Sequence, residues 1–192
     1  MKYIKHIPNI LTIIRFIFVP FIIVALALNN YILAFVLFTL SSISDILDGY
    51  IARKYNAISD FGKLMDPLAD KLLVTAALIS LVELHLIPSW AAVIIIAREF
   101  AVSGYRLIAV EKNGTVIAAN KWGKIKTVTQ MIAIILAYLD THPFGAIFTM
   151  QLQGFEFIMN LLVTLFMIIC TIATIFSGYE YLKGGKDLLK DM

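Results

Sequence analysis

Hydrophobic positions along this chain run together in six long blocks, over 8–28, 31–53, 60–83, 88–110, 120–139 and 155–178, with short polar breaks between them. Each block is close to the roughly 20 residues with which an α-helix crosses a bilayer core. The pattern therefore predicts an all-α integral membrane protein of six transmembrane helices, with residues 1–192 forming a single transmembrane domain and no separate soluble one. The opening MKYIKHIPNILTIIRF is basic and then apolar, but it lacks a small-residue cleavage site and runs into a full-length span, so it reads as retained.

Composition agrees, with 60% hydrophobic residues and only 15% charged and a positive mean hydropathy, far from the balance of a soluble domain. Six spans put both termini on one side. Lys2 and Lys5, Arg53, Lys54 and Lys63, Lys112, Lys121, Lys124 and Lys126, and Lys183, Lys186 and Lys190 all fall at that side's ends of the helices. The opposite connections, NN at 29–30, ELHLIP at 83–88 and the long DTHPFGAIFTMQLQG at 140–154, contain no Lys or Arg. By the positive-inside rule the termini are cytoplasmic. Cys170, the one cysteine, excludes an internal disulfide and reads as packing.

Against this apolar background SDILDGYIARKYNAISDFGKLMDPLADKLL, residues 44–73, holds five aspartates. With the second helix ending near residue 54 and the third starting near 60, Asp45, Asp48, Asp66 and Asp70 lie at one depth, roughly 9 to 14 Å in from the cytoplasmic helix ends. A tight helical hairpin would let the two acidic faces oppose each other. Pro67 either kinks the third helix or makes Asp66 its cap, with proline in the first helical position.

Four carboxylates facing lipid would cost on the order of 10 kcal/mol, so they must face a polar cavity. Carboxylates a few ångströms apart do not all ionise unless cations sit among them, and hard oxygen ligands suit Mg²⁺ or Mn²⁺. Two other readings exist. A salt-bridge network to Arg53, Lys63 and Lys71 would neutralise part of the charge structurally, and a cation-transport site would also use buried acids. Gly49, Ala52, Arg53 and Gly62 supply space and positive charge beside the acids, as a bound phosphate requires, and away from their ends the spans carry no other acid except Glu99 to make an ion path.

Asp45, Asp48-Gly49, Ala52-Arg53, Gly62, Asp66 and Asp70, with two, two, eight, three and three residues between these elements, reproduce the signature of the CDP-alcohol phosphotransferases. The Asp-rich motifs of membrane prenyltransferases, which also grip a diphosphate through Mg²⁺, lack the DG and AR elements. PNILTIIR, with Asn9, Thr12 and Arg15 stepping by three, is also in the family's style. The resemblance implies a six-helix membrane enzyme, a homodimer, in which an acceptor hydroxyl displaces CMP from a CDP-linked lipid or alcohol. It implies that Asp45, Asp48, Asp66 and Asp70 hold two divalent cations, Mg²⁺ or Mn²⁺, and that Asp70 is the base for the acceptor hydroxyl. It assigns Asn9, Thr12, Gly49, Ala52, Arg53 and Gly62 to the CDP group, although Thr12 would equally bond its own helix backbone.

REFAVSGYR at 98–106 and ANKWGKIKTVTQ at 119–130 look like the matching segments of bacterial phosphatidylglycerophosphate synthases. That likeness implies CDP-diacylglycerol and sn-glycerol 3-phosphate as substrates, phospholipid biosynthesis as the role, and a bacterial plasma membrane with the active site cytoplasmic. Phosphatidylinositol-phosphate and cardiolipin-forming relatives stay open, and no nucleic-acid partner is expected. Arg106 is the first candidate for the acceptor's phosphate and Arg98 the second, since arginine offers phosphate paired donors. Lys124 and Lys126 enter at a comparable level but would also serve by snorkelling to headgroups. Arg15 needs an anion, which an aspartate or a substrate phosphate would supply. Glu99 is expected to pair with Arg98 or with a basic residue of a neighbouring helix. Trp90 and Trp122 fit the aromatic belt, and His6, His85 and His142 are assigned no chemistry.

Overall fold

The computed structural model describes residues 7–55, 60–113 and 121–184, and within these the side chains at 7–8, 50, 52–53, 60–61, 63–64, 107–113, 182 and 184 lie outside the description. Six helices make up the fold: α1 (Ile7–Ala27), α2 (Tyr31–Lys54), α3 (Asp60–Glu83), α4 (Ser89–Asn113), α5 (Lys121–Leu139) and α6 (Gly154–Gly184). A single 3₁₀ turn, Ala146–Phe148, interrupts the long connection, and the described residues contain no strand. α6 runs past the expected end at 178 because the face that packs inward continues through polar positions, with Ser177 and Tyr181 both buried.

Among the described residues three stretches are long and apolar enough to cross a membrane by themselves: Asn9–Ala27, Tyr31–Gly49 and Gly154–Tyr181. α3, α4 and α5 fall short because Asp66 and Asp70, Arg98, Glu99 and Arg106, and Lys124 and Lys126 interrupt their apolar runs. Contacts divide the chain into two compact units, Met1–Leu84 and His85–Met192.

In the first unit α1 packs against both α2 and α3, which meet each other only sparsely. This corrects the expected hairpin: α1, not direct opposition of the acidic faces, links the two acidic helices. Buried residues along α1 recur at helical spacing, Thr12, Arg15, Val19, Ile22 and Leu26, so one stripe is polar at one end and apolar for the rest. α2 answers with Ala34, Phe38, Ser41 and Asp48, and α3 with Ala69, Leu73, Ala77 and Leu81. α3 continues helically through Pro67, so Asp66 is a mid-helix residue and not a cap.

Two asparagines make the tight turn between α1 and α2. Asn29 takes a left-handed backbone, φ 55°, which asparagine tolerates better than most residues. The Asn30 N–H donates to the Ala25 carbonyl at 2.8 Å and closes the end of α1. The Asn30 side chain then accepts from the Leu33 N–H at 3.1 Å and starts α2.

In the second unit α6 packs against α4 and α5. Its inward stripe, Asn160, Val163, Met167, Cys170, Thr174 and Ser177, is buried throughout. On α5, Gly123, Lys126, Gln130, Ala133 and Ala137 share the buried side.

Candidate active site

α2 delivers Asp45 and Asp48 one helical turn apart, and α1 meets them with Arg15, whose side chain is wholly buried. Arg15 Nη2 donates to Asp48 Oδ2 at 2.6 Å, and its Nη1 forms an ion pair with Asp45 Oδ1 at 2.7 Å. Asp48 is buried with it, while Asp45 keeps 39% of its side chain exposed. One turn earlier on the same face of α1, the Thr12 hydroxyl donates to Asp66 Oδ1 on α3. Thr12 thus has a partner that neither the expected nucleotide contact nor the helix-backbone alternative foresaw, a carboxylate of α3, and Arg15 takes two aspartates as its anions.

A buried, unpaired guanidinium in a membrane protein is costly, and so are two aspartates a turn apart. Their pairing settles both costs. Asp70 is half-buried one turn beyond Asp66, Gly62 is buried one turn before it, Gly49 is half-buried beside Asp48, and Asn9 is half-buried in the first turns of α1. Ala52 and Arg53 belong to α2, and their side chains lie outside the description.

As a donor set, Asp45, Asp48, Asp66 and Asp70 fit a hard divalent cation, since all four offer only carboxylate oxygens. Among the described residues no three His, Cys, Asp or Glu side chains are grouped as an ion would need. The partners these carboxylates meet come from α1: Arg15 holds Asp45 and Asp48, and Thr12 holds Asp66.

The second unit gathers the expected cations around α6. Arg98 donates from Nη1 to Glu99 Oε1 at 3.1 Å and from Nη2 to the Ser177 hydroxyl at 2.5 Å. Lys126, almost fully buried, reaches the same Glu99 oxygen from α5. Both partners expected for Glu99 are thus present at once. Arg106 donates to the Tyr181 hydroxyl at 2.5 Å, and the Tyr181 ring lies 5.5 Å from the Arg98 guanidinium and 5.3 Å from that of Arg106. Among the described residues Arg106 meets no carboxylate. The Arg98 stem lies against α6 at Gly178, where an added Cβ would meet Arg98 Cγ in ordinary contact at 3.5 Å. Lys124, by contrast, is exposed on α5 and stands apart from this cluster.

A polar knot in the long connection escaped the sequence reading. Buried Asp140 accepts from the His142 N–H and pairs with His142 Nδ1, both at 3.0 Å. It also accepts from Asn160 Nδ2 at 2.7 Å. Asn160 donates further to the Pro143 carbonyl and accepts from the Ile147 N–H. His142, which was given no chemistry, is thus a structural partner of Asp140.

Six helices with buried acids against an intramembrane arginine define an integral membrane protein with a built polar centre. Comparison with known proteins supplies the family: residues 5–176 match the model of the CDP-alcohol phosphatidyltransferases, and the chain belongs to that family. A Bacillus subtilis protein named CDP-diacylglycerol--glycerol-3-phosphate 3-phosphatidyltransferase is 39% identical over 200 residues, covering 96% of this chain and 97% of the relative. Proteins of the same name from Rickettsia felis and Haemophilus influenzae are 37% and 34% identical, over 97% and 100% of this chain and 98% of each relative.

Proposed function

We propose that this protein transfers the phosphatidyl group of CDP-diacylglycerol to sn-glycerol 3-phosphate, giving phosphatidylglycerophosphate and CMP. The observation that carries the reading is the meeting of Asp45, Asp48 and Asp66 with Arg15 and Thr12 inside the first unit, on the residues of the family's signature. The names of full-length relatives support the choice of acceptor.

In this reading Asp45, Asp48, Asp66 and Asp70 hold two divalent cations, Mg²⁺ or Mn²⁺. When bound, such ions neutralise charge on the departing nucleotide and polarise the phosphorus under attack. The remaining work belongs to the chain. Asp70 accepts the proton of the acceptor hydroxyl as its oxygen bonds to the phosphatidyl phosphorus, and the bond from that phosphorus to CMP breaks with its electron pair on CMP. Asn9, Gly49, Ala52, Arg53 and Gly62 line the nucleotide's place. Thr12 serves it through Asp66.

Arg106 is the acceptor-phosphate residue of choice, because Tyr181 fixes its guanidinium while no described carboxylate neutralises it. Arg98 and Lys126 share one Glu99 oxygen and add positive charge beside it. Lys124 serves the same anion only from the rim. The enzyme works as a homodimer in a bacterial plasma membrane with its aspartates on the cytoplasmic side, a reading supported by connections free of Lys and Arg on the opposite side.

Purified protein given CDP-diacylglycerol and one acceptor at a time tests the function through CMP release. Release is expected with sn-glycerol 3-phosphate. Release only with an inositol phosphate or with phosphatidylglycerol would move the chain to another branch of its family, and none with any acceptor would end the reading.

A further inference from the structure

Arg15 stands out because it is fully buried, lies mid-helix and spends its charge on two of the four proposed metal ligands. We infer that Arg15 is an internal counter-cation that holds Asp45 and Asp48 in the metal-free protein and gives them up when divalent ions enter. This rests on the metal reading above and goes beyond it by assigning the pre-loading state of the site.

Charge bookkeeping supports the role. Four ionised carboxylates and Arg15 sum to three negative charges, two divalent cations bring the sum to one positive, and a diphosphate then turns it negative again. Without Arg15 the metal-loaded site would be neutral and would offer the incoming diphosphate no net attraction. The same side chain stabilises the unloaded fold, since Asp45 and Asp48 sit one turn apart and α1 crosses from them to Asp66. Thr12 makes the complementary contact with a neutral donor that need not leave, because a hydroxyl adds no positive charge to repel an incoming cation. Arg15 is therefore a positioning residue whose grip on Asp45 and Asp48 competes with the ions.

The test measures Mn²⁺ binding to purified protein in detergent, without nucleotide, by the electron paramagnetic resonance of free Mn²⁺. Arg15→Gln keeps a polar side chain and removes the charge. Its Mn²⁺ affinity is expected to rise about tenfold, roughly 1.4 kcal/mol, while its thermal midpoint in EDTA falls below that of the wild type and recovers on Mn²⁺ addition. Arg15→Lys guards against a variant that does not fold. A lysine cannot hold two carboxylates with the fork of a guanidinium, so it frees one aspartate and is expected to raise the affinity by about threefold. Wild-type binding with unchanged or weaker affinity in the folded variants would overturn the inference and leave the metal reading standing. No Mn²⁺ binding by the wild type would instead remove the metal reading, and the inference with it.

Discussion

Arg106 and Tyr181, 75 residues apart in sequence, meet twice: the guanidinium donates to the phenol oxygen at 2.5 Å and lies 5.3 Å from the ring centre. Such a doubly held arginine loses little further freedom when it meets a phosphate. Arg106→Lys is expected to raise the KM for sn-glycerol 3-phosphate about tenfold, roughly 1.4 kcal/mol, and to leave that for CDP-diacylglycerol within a few-fold. Tyr181→Phe keeps the ring and loses only the hydroxyl, so its KM should rise by about threefold. Steady-state kinetics with each substrate varied separately reads both, and an unchanged acceptor KM in Arg106→Lys would place the anion elsewhere.

Asp70 carries the proton in the proposed reaction. Asp70→Asn preserves size and removes basicity, and turnover should fall by about two orders of magnitude or more. Binding of a CDP-lipid analogue, measured by calorimetry, should weaken far less. A folded variant with near-normal turnover would take the base role from Asp70.

Chelation bears on all four acids together. Thorough treatment with EDTA should abolish CMP release, and added Mg²⁺ or Mn²⁺ should restore it. Activity that persists in EDTA would leave the carboxylates paired with Arg15 and Thr12 as purely structural groups.

Asn160 supplies donors to Asp140 and Pro143 and accepts from the Ile147 N–H, all within the second unit. Asn160→Ala strands a buried carboxylate oxygen and a backbone N–H, which should cost roughly 3 kcal/mol. Cys170 is a buried free thiol and offers the readout: its labelling by a thiol-reactive dye on heating should begin at a lower temperature in the variant. Coincident labelling curves would show that the knot carries little stability.

Orientation is open to impermeant thiol reagents. In a chain lacking Cys170, single cysteines at Asn30, His85 and Thr149, which are exposed, should label in intact cells, and one at Asn56 should not. Labelling at position 56 alone would invert the topology.

The helices were legible in the sequence because a membrane demands long apolar blocks, and α1, α2, α3 and α5 begin and end close to the bounds those blocks suggest. The aspartates were legible because charge in such blocks is costly and their spacing is specific. Helix neighbours were not. Apolar periodicity says which face is buried but not against what, so the placing of α1 against both acidic helices, and the choice of Arg15 between aspartate and substrate phosphate, appeared only in three dimensions. Burial of Lys126 had a signal that went unused: Gly123, Lys126, Gln130, Ala133 and Ala137 step along one helical face of mostly small residues. The Asp140–Asn160 knot had none, since a loop acid and an asparagine in the second turn of a span do not announce each other.

The two-asparagine turn between α1 and α2 has a bearing on how the chain enters a bilayer. α1 is made first, and by itself it would take an arginine into the hydrocarbon with no partner, at about 2.5 to 3.5 kcal/mol on insertion scales. Its carboxylate partner Asp48 comes 33 residues later. A connection of three residues lets α2 fold back at once and bring that partner alongside, so the first two helices are suited to cross as a pair, with biosynthetic insertion and assembly of the acidic centre as one event.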